Sequence, residues 1–217
     1  LKGGLPAGSN ILVVGPTGSG KSSFARNFIS SGLLKNEESI VVAIDDDPGR
    51  IRQSLTQLSG NTSSYYENEK KLRIVDAYSW SSLSPAENEA FSISGSLELN
   101  QLAGIISDAS LDLGQSIQEK KGGRRLIDSI SSLLVSFELD SVQRFLTQVS
   151  RTSIAFGGVT TLFILEEGTV DTKKLNNIKY IMDGVIEFNT DNNQKRCRVS
   201  SMKWSSYNNE WIDLKTS

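Results

Sequence analysis

Residues 15 to 22 read GPTGSGKS, a glycine-rich run carrying one lysine and one terminal hydroxyl at fixed spacing. Glycines at 15, 18 and 20 let backbone N–H groups turn toward a phosphate, and a helix starting just after them adds partial positive charge. Lys21 then sets an ammonium against the outer phosphates of a nucleotide, and Ser22 offers its hydroxyl to Mg2+. Gly15, Pro16, Thr17, Gly18, Ser19, Gly20, Lys21, Ser22 and Ser23 form the candidate cradle. The run fits G-x-x-x-x-G-K-[ST] at every position. It also lies between the apolar ILVV of 11–14 and the helical pattern SFARNFISSGLL, the context in which such a match has physical meaning.

A phosphate cradle does not choose a reaction, so the carboxylates come next. RRLIDS, 124–129, has the form of a buried strand ending in an acid, and Asp128 would lie beside the cradle if the first and fourth strands adjoin. Its chemistry there would be to hold Mg2+; the alternative is a helix N-cap. VVAIDDDPGR places Asp45, Asp46 and Asp47 at the carboxyl end of the second strand, where α/β sheets form their ligand crevice. One of these can orient a water molecule; equally, three acids before Pro48 suit a solvated turn.

These residues need a scaffold, and the chain alternates strand and helix signals along most of its length. Strands are expected near 11–14, 39–44, 72–76, 124–127 and 160–165, with helices near 21–34, 48–58, 97–119 and 139–156. Val142, Phe145, Leu146 and Val149 make an i, i+3, i+4, i+7 stripe that belongs to the core. After about 184, GVIEFN, CRVSSMKW and EWIDL suggest an antiparallel extension of the sheet. The fold class is therefore α/β, a mostly parallel central sheet flanked by helices. SWSSLSPAENEAFSISGS, 79–96, reads as a loop.

The 217 residues fit a single domain spanning 1–217. A formal charge of -2 gives no general attraction for nucleic acid or anionic lipid. One cysteine and no histidine exclude disulfides, Cys/His zinc sites and imidazole catalysis, so acid–base work falls to carboxylates or lysine. The apolar runs are too short to span a membrane and no signal-peptide pattern opens the chain, which points to the cytoplasm. The start at Leu1, without methionine and within the turn-like GGLPAGS, leaves room for an upstream segment.

GGLPAGSNILVVGPTGSGKSSFARNFI, IVVAIDDDPGRIRQSL, RRLIDSISSLL, then IMDGVIEFN and RCRVSSMKW resemble, in order and across nearly the whole chain, a single-domain member of the KaiC-like branch of the RecA superfamily. The resemblance implies a RecA-like P-loop core, ATP and Mg2+ as cofactors, a homo-oligomer that can close into a ring with nucleotide between subunits, and Asp128 on the metal. Relatives usually carry two adjacent glutamates where Asp45 and Asp46 stand. Aspartate is one methylene shorter, so hydrolysis is expected to be slow. Many relatives also have a Lys-Met-Arg run reaching the neighbouring subunit's nucleotide. Here Ser201, Met202 and Lys203 occupy it, leaving Lys203 as the candidate trans cation, with a solvated strand lysine as its alternative; no cation close to the chain's own cradle stands out.

Three functions compete. One is a slow Mg-ATP hydrolase acting in signalling or regulation through an oligomer with an unidentified protein partner. Another is an ATP-binding switch without efficient hydrolysis, and the third is a RecA/RadA-paralogue accessory of recombination. The acidic balance and the lack of a basic, glycine-rich DNA loop weigh against the third. Other conspicuous residues read as structural: Trp204, Tyr207 and Trp211 as packing rather than a base platform, and Cys197 as a small buried strand residue. Glu166 and Glu167 fit either a phosphate sensor or an ordinary acidic loop. Lys120, Lys121, Arg124 and Arg125 read as a solvated turn.

Overall fold

The computed structural model describes residues 4–81, 89–115, 122–192 and 194–214. Their centre is an eight-stranded sheet. The strands are β1 (Asn10–Gly15), β2 (Ser39–Ala43), β3 (Leu72–Asp76), β4 (Arg124–Asp128), β5 (Thr160–Glu166), β6 (Gly184–Asp191), β7 (Gln194–Met202) and β8 (Ile212–Asp213). They lie in the order β3-β2-β4-β5-β1-β6-β7-β8. β1 to β6 run parallel, and β7 and β8 continue antiparallel.

The side-chain period of two sorts each central strand onto two cores. Ile11 and Val13 face one side with Val41, Leu126, Leu162 and Ile164, under α1 (Lys21–Leu33) and α2 (Pro48–Ser59). Leu12 and Val14 face the other with Val42, Ile127, Phe163 and Leu165. That side is covered by α4 (Leu99–Asp112), α5 (Ile130–Ser136), α6 (Leu139–Ala155) and α7 (Thr172–Ile181); the short α3 (Ser63–Asn68) joins α2 to β3. The Val142, Phe145, Leu146, Val149 stripe is buried against this second core. Fully burying a side chain such as Phe163 contributes about 1.5–3 kcal/mol.

Several expectations need correction. The fourth helix stops at Asp112 rather than 119, because Gly114 takes φ 77 just beyond it; the expected continuation over 116–119 lies outside the described residues. Where it is described, the span 79–96 is loop as expected, apart from a 3-10 turn at Ser79–Ser81 and one bridge to β3; residues 82–88 lie outside the described residues. Phe91 and Ile93 pair with Asp76 on the β3 edge, and Ile93 and Leu97 are buried. Three helices, α3, α5 and α7, carry no stripe long enough to announce them. The basic run is not a solvated turn throughout: Arg125 is fully buried, donating to Val149 O, Ser153 Oγ and Ser110 Oγ at 3.3, 2.9 and 3.1 Å. Burial pulls its guanidinium down to about 10. Lys120 and Lys121 lie outside the described residues. Arg124 covers the Phe28 ring at 4.7 Å and pairs with Glu37.

Candidate active site

The cradle starts where β1 ends. Gly15 is required by space: a Cβ there would collide with the Phe188 carbonyl of β6. Gly18 and Gly20 are required by conformation, at φ 77 and 104. Gly20 is the N-cap of α1 and provides no side-chain acceptor, and no acid occupies the first turn, so the helix start is left to an anion. Ser22 and Ser23 are exposed on this turn. Lys21 is 2% exposed, with Nζ donating to Pro16 O at 2.8 Å and lying 3.0 Å from the Glu166 carboxylate. Thr17 Oγ1 donates to the same carboxylate at 3.1 Å.

Neighbouring strand ends bring the acids. β4 does not adjoin β1; β5 lies between them, so Asp128 is two strands from the cradle and Glu166 occupies the place between. Asp128 is 6% exposed, and its carboxyl is pushed up to about 6, first by burial and then by repulsion from Asp45, Asp46 and Glu166, with Arg26 pulling down. The Asp128–Ser129 peptide is cis. Ser129, and not Asp128, is the N-cap of α5, accepting from Ser131 N at 3.2 Å.

The three consecutive aspartates are sorted by their partners. Asp47 caps α2, accepting from Arg50 N at 3.1 Å ahead of Pro48, which makes it the turn residue of the group. Asp46 is ion-paired with Arg26 of α1, and Asp45 accepts from the Ser129 hydroxyl. Arg26 corrects the expectation that no cation stands close to the cradle. It lies five residues beyond Lys21, so the helix carries it toward the end of β2; a single arginine on a mostly apolar, hydroxyl-rich helix was the available signal. Ser129 was legible only as the residue after Asp128.

Lys203 lies elsewhere in the chain. It follows β7, its N–H donating to Asp183 O at 2.7 Å and Nζ reaching Asp183 Oδ1 at 3.4 Å. Asp183 in turn accepts from Asn10 N at 3.0 Å, at the amino end of β1. Lys203 and Lys21 are thus at opposite ends of that strand, roughly 17 Å apart at ~3.3 Å per residue. Trp211 packs under the Arg198 guanidinium at 4.7 Å, and Tyr207 hydroxyl donates to Ser200 O at 3.4 Å. Trp204 is 72% exposed and does not pack against its own sheet, which leaves a subunit neighbour as the packing partner the expectation allows. Cys197 is half-buried beside the first core, and burial pushes its thiol up. A groove of about 610 Å³ beside Phe24, Phe28 and Arg124 opens at the amino ends of the parallel strands, away from the cradle.

A P-loop joined by buried and half-buried acids at parallel strand ends is the arrangement of a nucleotide-binding site, and comparison with known proteins agrees. The sequence model described as "ATPase: KaiC" matches residues 1–207. The chain belongs to the KaiC ATPase family. A UPF0273 protein of Sulfurisphaera tokodaii is 27% identical over 206 residues, covering 94% of this chain and 69% of that one. Another, from Thermotoga maritima, is 28% identical over 174 residues, covering 73% and 69%. The crystal structure of a KaiC-like protein from Pyrococcus horikoshii OT3 superposes with a TM-score of 0.72 at 20% identity, over 99% of this chain and 88% of its own. The fold is the RecA-like one, mostly parallel with antiparallel carboxyl-terminal strands, and the family is one of ATP-binding P-loop NTPases. Among the described residues no helix is long and apolar enough to cross a membrane.

Proposed function

We propose that residues 1–217 act as one KaiC-type ATPase domain that binds Mg-ATP at Gly15–Ser23 and hydrolyses it slowly, in signalling or regulation, through a homo-oligomer. The observation that carries this reading is that buried Lys21, after β1, lies two strands from buried Asp128 at the end of β4, with Glu166 of β5 between them and the Asp45–Asp46 pair just after β2 beside β4, all at the carboxyl ends of parallel strands. Lys21 meets the outer phosphates. Ser22 and Asp128 are the oxygens that fit magnesium: Asp128 is an acid whose ionisation burial opposes, and a divalent cation offsets that penalty. Among the described residues no His, Cys, Asp and Glu cluster forms a ready cage, which suits a cation that arrives with phosphates. When bound, the ion neutralises charge developing on the transferred phosphoryl group.

Asp45, exposed at the strand end, orients the attacking water, and Asp46 is held beside it by Arg26. Lys203 acts on the nucleotide of another subunit, because it lies at the wrong end of β1 to serve its own. The test is isothermal calorimetry with ATP, with and without Mg2+, alongside phosphate release and mass measurement. Lys21→Ala is expected to remove binding while the fold survives; unchanged ATP affinity in that folded variant overturns the assignment.

A second reading, an ATP-binding switch with little hydrolysis, is favoured by one observation. Both candidate bases are already committed, Asp46 to Arg26 and Asp45 to Ser129. A base so engaged is less available to water. Saturable binding with no phosphate release above the Lys21→Ala background decides for this reading.

A further inference from the structure

Glu166 stands where the phosphates of a bound nucleotide need room. It ends β5 and pairs in register with Gly15, so its backbone is fixed beside the first residue of the cradle. Both of its carboxylate oxygens lie 3.0 Å from Lys21 Nζ, and Thr17 Oγ1 donates to one of them. With Pro16 O taking another proton, the lysine is fully engaged and almost wholly buried. An ammonium offers three protons, so a phosphate can reach Lys21 only by taking the place of an existing acceptor. The acceptor that carries like charge to a phosphate is Glu166, and a carboxylate beside phosphate oxygens is repelled. Its side chain is 35% exposed, which gives it a way out into water.

The backbone of Glu166 is tied to the acid cluster. The Glu166 N–H donates to Ser131 Oγ at 2.9 Å, and Ser131 N–H donates to Ser129 Oγ at 3.2 Å. The Ser129 hydroxyl donates to Asp45. This line holds the backbone of Glu166 and the acid cluster in one frame, so the carboxylate can leave Lys21 while the strand end that carries it stays in place.

We propose that Glu166 is a latch on the nucleotide site: its carboxylate holds Lys21 and Thr17 in competition with phosphate, and a triphosphate that binds the cradle displaces it. This rests on the cradle binding ATP and adds to it a residue acting against binding. The sign of the effect separates the two roles. Removing a residue that supports phosphate weakens affinity, while removing a competing carboxylate strengthens it.

The experiment uses the full chain, with pyrophosphate and Mg-ATP as probes, measured by calorimetry on the parent, Lys21→Ala, Glu166→Gln and Glu166→Asp. Glu166→Gln is expected to bind both probes about 10-fold more tightly, the scale of a charge-assisted hydrogen bond lost by the empty state. Its nucleotide-free thermal midpoint is expected to fall. A residue that merely supports the fold would lower both quantities. Glu166→Asp, which withdraws the carboxylate by one methylene, is expected to fall between the two and keeps the test open should the glutamine variant misfold. If the parent binds, Lys21→Ala does not, and neither Glu166 variant binds more tightly, the cradle stands and the latch is refuted. If the parent fails to bind but Glu166→Gln succeeds, both stand. If none binds, both fall together.

Discussion

Replacing Asp128 with asparagine is expected to make the empty protein more stable at neutral pH, although the residue is assigned to the site. Asp128 is nearly buried at the end of β4, and its carboxyl titrates at about 6 instead of 3.8, chiefly because burial opposes the charged form. A native pKa above the unfolded one stabilises the fold only while the group is protonated. The contribution is complete below about 3.8 and is lost as pH rises through about 6. That displacement is roughly 2 pH units at 1.36 kcal/mol each, so the ionised carboxylate costs up to ~3 kcal/mol at pH 7.5. Asparagine has nearly the same shape and cannot ionise. In metal-free urea denaturation, Asp128→Asn should be stabler than the parent by ~3 kcal/mol at pH 7.5, the gap narrowing to about 1 kcal/mol at pH 4.5. Magnesium should then stabilise the ATP-bound parent and leave the ATP-bound variant nearly unchanged. Equal stabilities across the pH range, or a gap that widens toward acid, refutes the argument that burial and neighbouring acids strain this carboxylate.

Asp45→Asn is expected to lower phosphate release by about 10²-fold or more with little change in ATP affinity, as for a group acting mainly in the transition state. Replacing both Asp45 and Asp46 with glutamate should raise a slow turnover if the shorter side chains are what limits it, read by the same phosphate assay. Arg125→Ala should cost about 3 kcal/mol in denaturant unfolding, because it opens a cavity and strips donors from Ser110 and Ser153 in the interior. Lys203→Ala should leave ATP affinity intact but lower specific activity, and mixing it with Lys21→Ala protein should restore part of the activity. A parent whose specific rate does not change with protein concentration rules that trans role out.

Much of the scaffold was legible because β1, β2, β4 and β5 are apolar on both faces and bounded by glycine or acid, a pattern that solvent-exposed strands do not produce. Strand order was not legible. Nothing local to RRLID or NILVV records that TTLFILE inserts between them, and that insertion turned Glu166 from an ambiguous loop acid into the partner of Lys21. Arg125 was misjudged for a related reason. Adjacent residues in a strand point to opposite faces, so Arg124 covers Phe28 while Arg125 enters the α4–α6 interface, where hydroxyls replace a counter-ion. Asp45, Asp46 and Asp47 are chemically identical in the sequence. Only the approach of α1, the α5 cap and the start of α2 gives them separate partners.

These partners leave an imbalance that bears on how the site can work. Asp45, Asp46 and Glu166 all repel the Asp128 carboxylate, and Lys21 and Arg26 are the cations paired within this group. A nucleotide adds further negative charge to a place already in excess of it. On the proposed reading, magnesium would offset part of this and release of Glu166 into water would remove another part. Arg26 is already spent on Asp46, and Lys203 is separated from the cradle by the length of β1. Lys195 of β7, however, reaches the cradle, its Cδ 3.7 Å from the place a Cβ would take on Gly20, so the charge that develops on a transferring phosphoryl group has a lysine of its own subunit beside it. If Lys203 serves the nucleotide of a second copy as proposed, turnover should rise on assembly while ATP affinity does not, and a Lys203→Ala variant that assembles and turns over like the parent would leave the work to Lys21 and Lys195.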